Sequence, residues 1–350
     1  MTRKPAILAA AVAATISALA APAASAQART GAGAATETRT GAASAGKAEI
    51  RYAWVKSCPQ KKRDYDVPCG PWKLVMRDGS TRTLGDARVH PRTSDGKVDK
   101  ELTAPLSVSG DGRHVAYFRE SDGKLVVRDV AANRVRVLPG AAARPPKGIG
   151  MNDVDITISD DGGRVVLDYE DARMKLSTLL VDLGTGKISK VSPKLSIQGF
   201  SHDGGHILAT RYTGENTTEL SVLDENGATT GRRVVPQVIA NNMPQALADD
   251  GNTVAVLITT SSGRQRLRVY DLDADNVGAA VDVKVPKNES PHDLAWDDSG
   301  ALTLWELRSD NDGNTTGAVR RSLDPASGAT RTLDAFKVGG KIYVWWLPGE

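Results

Sequence analysis

Residues 103–140 read TAPLSVSGDGRHVAYFRESDGKLVVRDVAANRVRVLPG. An apolar run with Leu106 and Val108 meets Asp111-Gly112, a dipeptide suited to a two-residue hairpin turn with positive φ. A second apolar run (115–118) reaches Asp122-Gly123, and KLVVRDV, a polar turn and RVRVLP complete the stretch. Four short strands joined in this way make one twisted antiparallel sheet with two apolar faces. Such a sheet is not stable alone and must stack on copies of itself.

Copies follow along the chain. The first hairpin turn recurs at Gly112, Gly162, Gly204, Gly251 and Gly300, as SGDG, SDDG, SHDG, ADDG and the degenerate DDSG. An aspartate closing the third strand recurs at Asp78, Asp129, Asp182, Asp224, Asp271 and Asp324, at intervals of 51, 53, 42, 47 and 53 residues. That period belongs to propeller blades, and the second landmark counts six of them. The first landmark is absent from the opening unit, which begins with EIRYAWVK (49–56), a second-strand pattern. The chain ends with KIYVWWLPGE, so residues 341–347 are expected to return as the missing innermost strand of blade one. This closure removes the sheet edges that the rival open stack would expose. The expected fold is therefore all-β, a six-bladed β-propeller of four-stranded antiparallel blades. The blades fall near 48–102, 103–150, 151–195, 196–240, 241–288 and 289–338.

Two of these units, SGDGRHVAYFRESDGKLVVRDVAANRVRVL and SDDGGRVVLDYEDARMKLSTLLVDLGTGKISKV, resemble the WD-repeat-like blades of TolB-type propellers. The shared features are the S-x-D-G turn, an apolar second strand, and an apolar third strand ending in Asp. The resemblance covers residues 48–350, the propeller part only, and implies the blade rather than an activity.

Ahead of the blades, Arg3 and Lys4, an apolar stretch (6–21) and Ala24-Ser25-Ala26 read as a secretory signal peptide over residues 1–26. Residues 27–47, rich in Ala, Gly and Thr, have little to bury and read as a disordered spacer. The 45 basic and 42 acidic residues give +3, which falls to +1 once Arg3 and Lys4 are removed. A near-neutral chain argues against nucleic acid as a partner. No later segment is apolar enough for a membrane span, so a monomeric protein secreted to the cell envelope or beyond is expected. There, Cys58 and Cys69, the only cysteines, are expected to form a disulfide.

In a four-stranded blade, the turns joining strands one to two and three to four share one rim. The longer connections, 57–71, 86–104, 139–154, 235–244 and 308–316, share the other. Loops on a rigid scaffold collect recognition residues. The candidate binding residues on that rim are Lys61, Lys62, Arg63, Tyr65, Arg88, His90 and Arg92, cations around an aromatic. They suit an acidic protein, peptide or cell-envelope polymer, and the alternative is a solvated loop surface.

Motifs of chemistry are sparse. A G-x-S-x-G elbow is absent, and Ser94-x-x-Lys97, Ser121-x-x-Lys124 and Ser309-Asp310-Asn311 lack the K-T-G strand of penicillin-binding enzymes. Asp271, Asp273, Asp275 and Asp282 mimic a calcium loop, but Asn276 stands where Gly is needed and Asp282 where Glu is needed. A hairpin turn is the better account, and no metal or cofactor is expected. His114 and His206 share a repeat position and read as surface residues. His292, beside Asp293 at the start of the last inner strand, is the one candidate for a lactonase- or hydrolase-type channel site. The expected function is non-enzymatic binding, with that enzyme as the alternative.

Overall fold

A computed structural model describes residues 48–60, 65–214 and 216–350. The signal peptide and spacer expected over residues 1–47 lie outside these. Among the described residues no helix is long and apolar enough to cross a membrane.

The chain forms six antiparallel sheets. Blade two, the stretch first quoted, consists of Leu106–Val108, His114–Phe118, Leu125–Asp129 and Arg134–Val137. Blades three, four and six have the same four-strand order, and in blade five the outer strand is split into Asn276–Val277 and Val281–Val283. Blade one is made from both ends of the propeller. Ile50–Pro59, Asp66–Met76 and Thr81–Leu84 are its second to fourth strands, and Ile342–Trp346 is its innermost. Register pairs Ala53 with Trp346, Trp54 with Trp345 and Val55 with Val344. The ring is closed by the C-terminal strand, as expected.

The S-x-D-G motif works as a hydrogen-bonded turn. In blade two, Ser109 Oγ donates to Asp111 Oδ1 at 2.5 Å. The Arg113 N–H donates to the same oxygen at 2.8 Å, and the His114 N–H donates to Ser109 Oγ at 2.9 Å. Blades three and four repeat the set with Ser159 and Asp161, and with Ser201 and Asp203. The turn thus meets its own polar groups locally, and a side chain rather than water satisfies the backbone.

His114 and His206 correct the surface reading. Both are half-buried and lie against the turn glycine of the next blade. Gly162, at φ +68°, would place a Cβ 2.3 Å from His114 Cγ, and Gly251, at φ +65°, would place one 2.8 Å from His206 Cε1. Only glycine meets both demands, positive φ and close approach. Arg164, at the same repeat position, donates from Nη1 to the Gly204 carbonyl at 2.9 Å. In blades two, three and four this repeat position is a clasp onto the next blade.

The core is distributed between blades. Six apolar clusters each draw on two adjacent blades, among them Phe118 with Ile156, Trp72 with Val115, and Val222 with Tyr270. The sixth joins blade six to blade one through Trp305, Phe336, Leu347, Tyr52 and Trp345. Tyr52 stacks on Phe336 at 4.7 Å, and Trp345 meets both edge-on. Apolar faces buried against neighbours supply the driving force of each joint, and aromatic pairs add about 0.5–1.5 kcal/mol apiece at the seam.

Candidate functional site

The innermost strands surround a central channel, and a cavity of about 150 Å³ lies at its short-turn end. A water's share of volume is about 30 Å³, so the space suits one small molecule. Its position follows from the turn motif. Strand one ends just before the serine of S-x-D-G, and in blades two to four the x residue lines this cavity. There that residue is Gly110, Asp160 and His202 in turn, and the same motif position holds Asp249 and Asp298 in blades five and six. Gly110 leaves the room that Asp160 occupies, since a Cβ there would lie 1.9 Å from Asp160 Oδ1.

Asp160 Oδ2 and His202 Nδ1 are 2.8 Å apart, and both line the cavity. Burial raises the Asp160 carboxyl above its ordinary range, although His202 opposes this. For His202, burial works against the charged ring, but the Asp160 hydrogen bond and the charges of Asp160, Asp249 and Asp298 outweigh it and raise its pKa. Nε2 of His202 bonds to no described residue.

Two further groups define the cavity. Asp293 is half-buried and lines the cavity, and its carboxylate makes no side-chain hydrogen bond or ion pair with a described residue. Burial, with the charges of Glu350 and Asp160, pushes it up to about 6. Arg320 crosses from the third strand of blade six and stacks over Trp305 at 5.9 Å. It forms no ion pair with a described residue, its Nε is buried without a partner, and burial followed by the nearby Arg77 charge lowers its pKa. A carboxylate and a guanidinium, neither in an ion pair with a described residue, thus face the same small space. Trp296, Trp305 and Phe200 supply apolar walls, and Gln198, Gln245 and Thr303 supply polar ones.

His292, the sequence candidate, is held differently. Its Nε2 lies 2.7 Å from Glu350 Oε1, and that hydrogen bond raises its pKa. Glu350 Oε2 also accepts from the Leu347 N–H at 2.8 Å, and the Gly349 N–H donates to the Val108 carbonyl at 2.9 Å. The residues after the closing strand are latched across the channel from blade six to blade two.

The described rim candidates lie in the connections 57–71 and 86–104. Lys61, Lys62 and Arg63 fall outside the described residues. Tyr65 is 43% exposed and donates to Glu101 Oε1 at 3.0 Å. Arg92 is exposed and donates to the Gly96 carbonyl. His90 is half-buried, and its Nδ1 lacks a partner. Arg88 corrects the expectation of a free cation. It is 5% exposed, and its Nη2 donates to the Glu120 carbonyl at 2.8 Å and pairs with Glu120 Oε1 at 3.2 Å.

Cys58 and Cys69 form the expected disulfide, with a Cα–Cα distance of 5.9 Å. No group of three or more metal-ligating side chains occurs among the described residues. In the calcium-like stretch, Asp271 Oδ1 accepts from the Ala274 N–H and Asp275 Oδ1 from the Tyr270 hydroxyl. Those carboxylates hold a hairpin turn.

No family model matches the chain, and no curated protein matches it. Solved structures do. TolB of Acinetobacter baumannii is 13% identical, with 87% of this chain and 68% of that chain covered and a TM-score of 0.47. A protein assigned as TolB from Agrobacterium tumefaciens is 14% identical, with 83% and 90% covered and a TM-score of 0.44. A puromycin-hydrolyzing peptidase of Mycobacterium tuberculosis is 17% identical, with 83% and 54% covered and a TM-score of 0.40. The chain is a six-bladed propeller by its own sheets and their closure.

Proposed function

We propose that the protein is an exported binding propeller whose channel mouth holds a small zwitterion of amino-acid size. One observation carries the reading: Asp293 and Arg320, of opposite charge and neither in an ion pair with a described residue, line the same cavity. Leaving one charge unpaired in an enclosed space is costly, and leaving two that could neutralise a ligand's two ends is the pattern of a prepared site. An ammonium would lie toward Asp293 and the carboxylate toward Arg320, whose planar fork suits two oxygens. The Cys58–Cys69 disulfide supports an oxidising compartment such as the envelope or beyond.

Titration calorimetry with glycine, alanine of both hands and lysine tests this, with acetate and ethylamine as the two half-ligands. A zwitterion should bind at least tenfold more tightly than either half. Asp293→Asn and Arg320→Leu should each weaken it by about 10- to 100-fold, since hydrogen bonds to charged groups contribute about 1.5–3 kcal/mol. Equal affinity for acetate and alanine, or an Arg320→Leu protein that binds as before, would remove the reading.

The Asp160–His202 pair favours a second reading, a hydrolase in which His202 Nε2 acts as general base on water. Turnover of a lactone or ester panel that is abolished in His202→Gln would support it; unchanged turnover in that variant would exclude it.

A further inference from the structure

A second cavity lies far from the channel, on the long-loop rim where blades two and three meet. It is an open groove of about 730 Å³, within the ~300–1,000 Å³ range of ligand pockets. Its floor is apolar, built from Val137, Leu138, Pro145, Pro146, Leu176 and Leu179. Most of the residues that hold it come from the connection between the two blades, the loop before Thr178–Asp182 and the ends of the neighbouring strands of both blades.

Four cations border the floor, Lys124, Arg144, Lys175 and Lys190, and no carboxylate lines the groove. Lys124 approaches Asp122 at 4.0 Å. Arg144, Lys175 and Lys190 are exposed and form no ion pair with any described residue. Among these cations stands Tyr169, whose hydroxyl makes no hydrogen bond to a described residue. Burial, then the Asp168 charge, pushes that phenol up to about 12, so it remains an O–H donor throughout the working pH range. Apolar floor, cationic border and one unused donor are complementary to a molecule with an aliphatic body and an anionic head.

We propose that this groove binds a single-chain anionic amphiphile, an aliphatic chain ending in a carboxylate or phosphate group. The chain would cover the floor from Val137 to Leu179, and the head would meet Tyr169 and two or more of the cations. The inference is independent of the channel site.

The test uses the protein without its first 26 residues and four probes below their micelle concentrations: dodecanoate, dodecyl phosphate, dodecyltrimethylammonium and inorganic phosphate. Calorimetry should show dodecanoate and dodecyl phosphate binding one to one, at least tenfold more tightly than the cationic probe or inorganic phosphate. Arg144→Glu combined with Lys175→Glu, both at exposed positions, should lower that affinity at least tenfold with the melting temperature nearly unchanged. Leu176→Asp should lower it similarly, and Asp293→Asn should leave it as it was. Equal binding of the cationic probe, or insensitivity to the double charge reversal, would overturn the proposal. So would tighter binding of an acidic peptide such as Glu-Leu-Glu-Leu than of dodecanoate, since the groove would then be a peptide site.

Discussion

Replacing Asp293 by Asn should make the protein more stable at neutral pH. The substitution keeps the shape of the side chain and removes its titration. In the folded protein, burial and the charges of Glu350 and Asp160 push this carboxyl from 3.8 to about 6. Each tenfold change in proton affinity corresponds to ~1.4 kcal/mol, so holding the ionised form in the cavity costs roughly 3 kcal/mol. Because the folded pKa is raised, the native state binds the proton more tightly than the unfolded chain does. Stability from this group is therefore greatest below pH 3.8 and is lost as pH rises from there through about 6. The variant should match the parent near pH 3.5 and exceed it by up to roughly 3 kcal/mol at pH 7.5. Urea denaturation followed by tryptophan fluorescence at several pH values reads this directly, provided the slope m stays constant. A variant no more stable than the parent at pH 7.5, or a gain that does not change with pH, would refute the argument. A group kept ionised at such a cost marks a site shaped for something other than stability.

Other outcomes follow from the same geometry. Arg321→Met should cost about 3–5 kcal/mol in the same assay, because Arg321 is bound by Glu306 and Glu289 at 2.7 and 2.6 Å; its loss leaves the buried Glu306 without a cation, while Glu289 keeps Arg308 at 2.8 Å. Replacing Cys58 and Cys69 by Ser together should cost roughly 3 kcal/mol in the chain-entropy account while leaving ligand binding in the channel unchanged. His292→Gln should lower stability by about 1.5–3 kcal/mol near pH 6, with faster amide exchange at Leu347 and Gly349. Glu350 raises the pKa of His292, so that loss should shrink as pH rises through the folded value, above 6.5; a constant loss at pH 9 would argue against an ionic latch.

The fold was legible because a blade carries its own punctuation. Asp129, Asp182, Asp224 and Asp271 end third strands where the spacing puts them, and the missing first turn pointed to the tail that fills it. The channel site was less legible. Asp160 and His202 stand within SDDG and SHDG, but the repeat is defined by the shared Ser, Asp and Gly, and the residue between them varies. In blades two to four that residue lines the cavity, while the serine and aspartate hold the turn. Arg320 and Trp305 carried no local signal at all, since their meeting with Asp293 depends on a long side chain crossing from the third strand of a blade. Arg88 misled for the opposite reason: a basic residue in a long connection looks exposed until its neighbour Glu120 is seen to cover it.

Blade one also imposes an order of assembly. Its outer three strands are complete at Leu84, and its inner strand begins at Ile342, so about 260 residues must be synthesised in between. At about 5–20 residues per second this takes on the order of 10–50 s, during which the edge of Ile50–Pro59 stands open. Blades two to six can pair locally as they emerge, but the wheel has no rim until Ile342–Trp346 arrives. A ribosome that stalls short of that strand therefore releases a chain with most of its sheets in place and a sticky gap where the seam should be, a substrate for quality control rather than a slightly shorter protein.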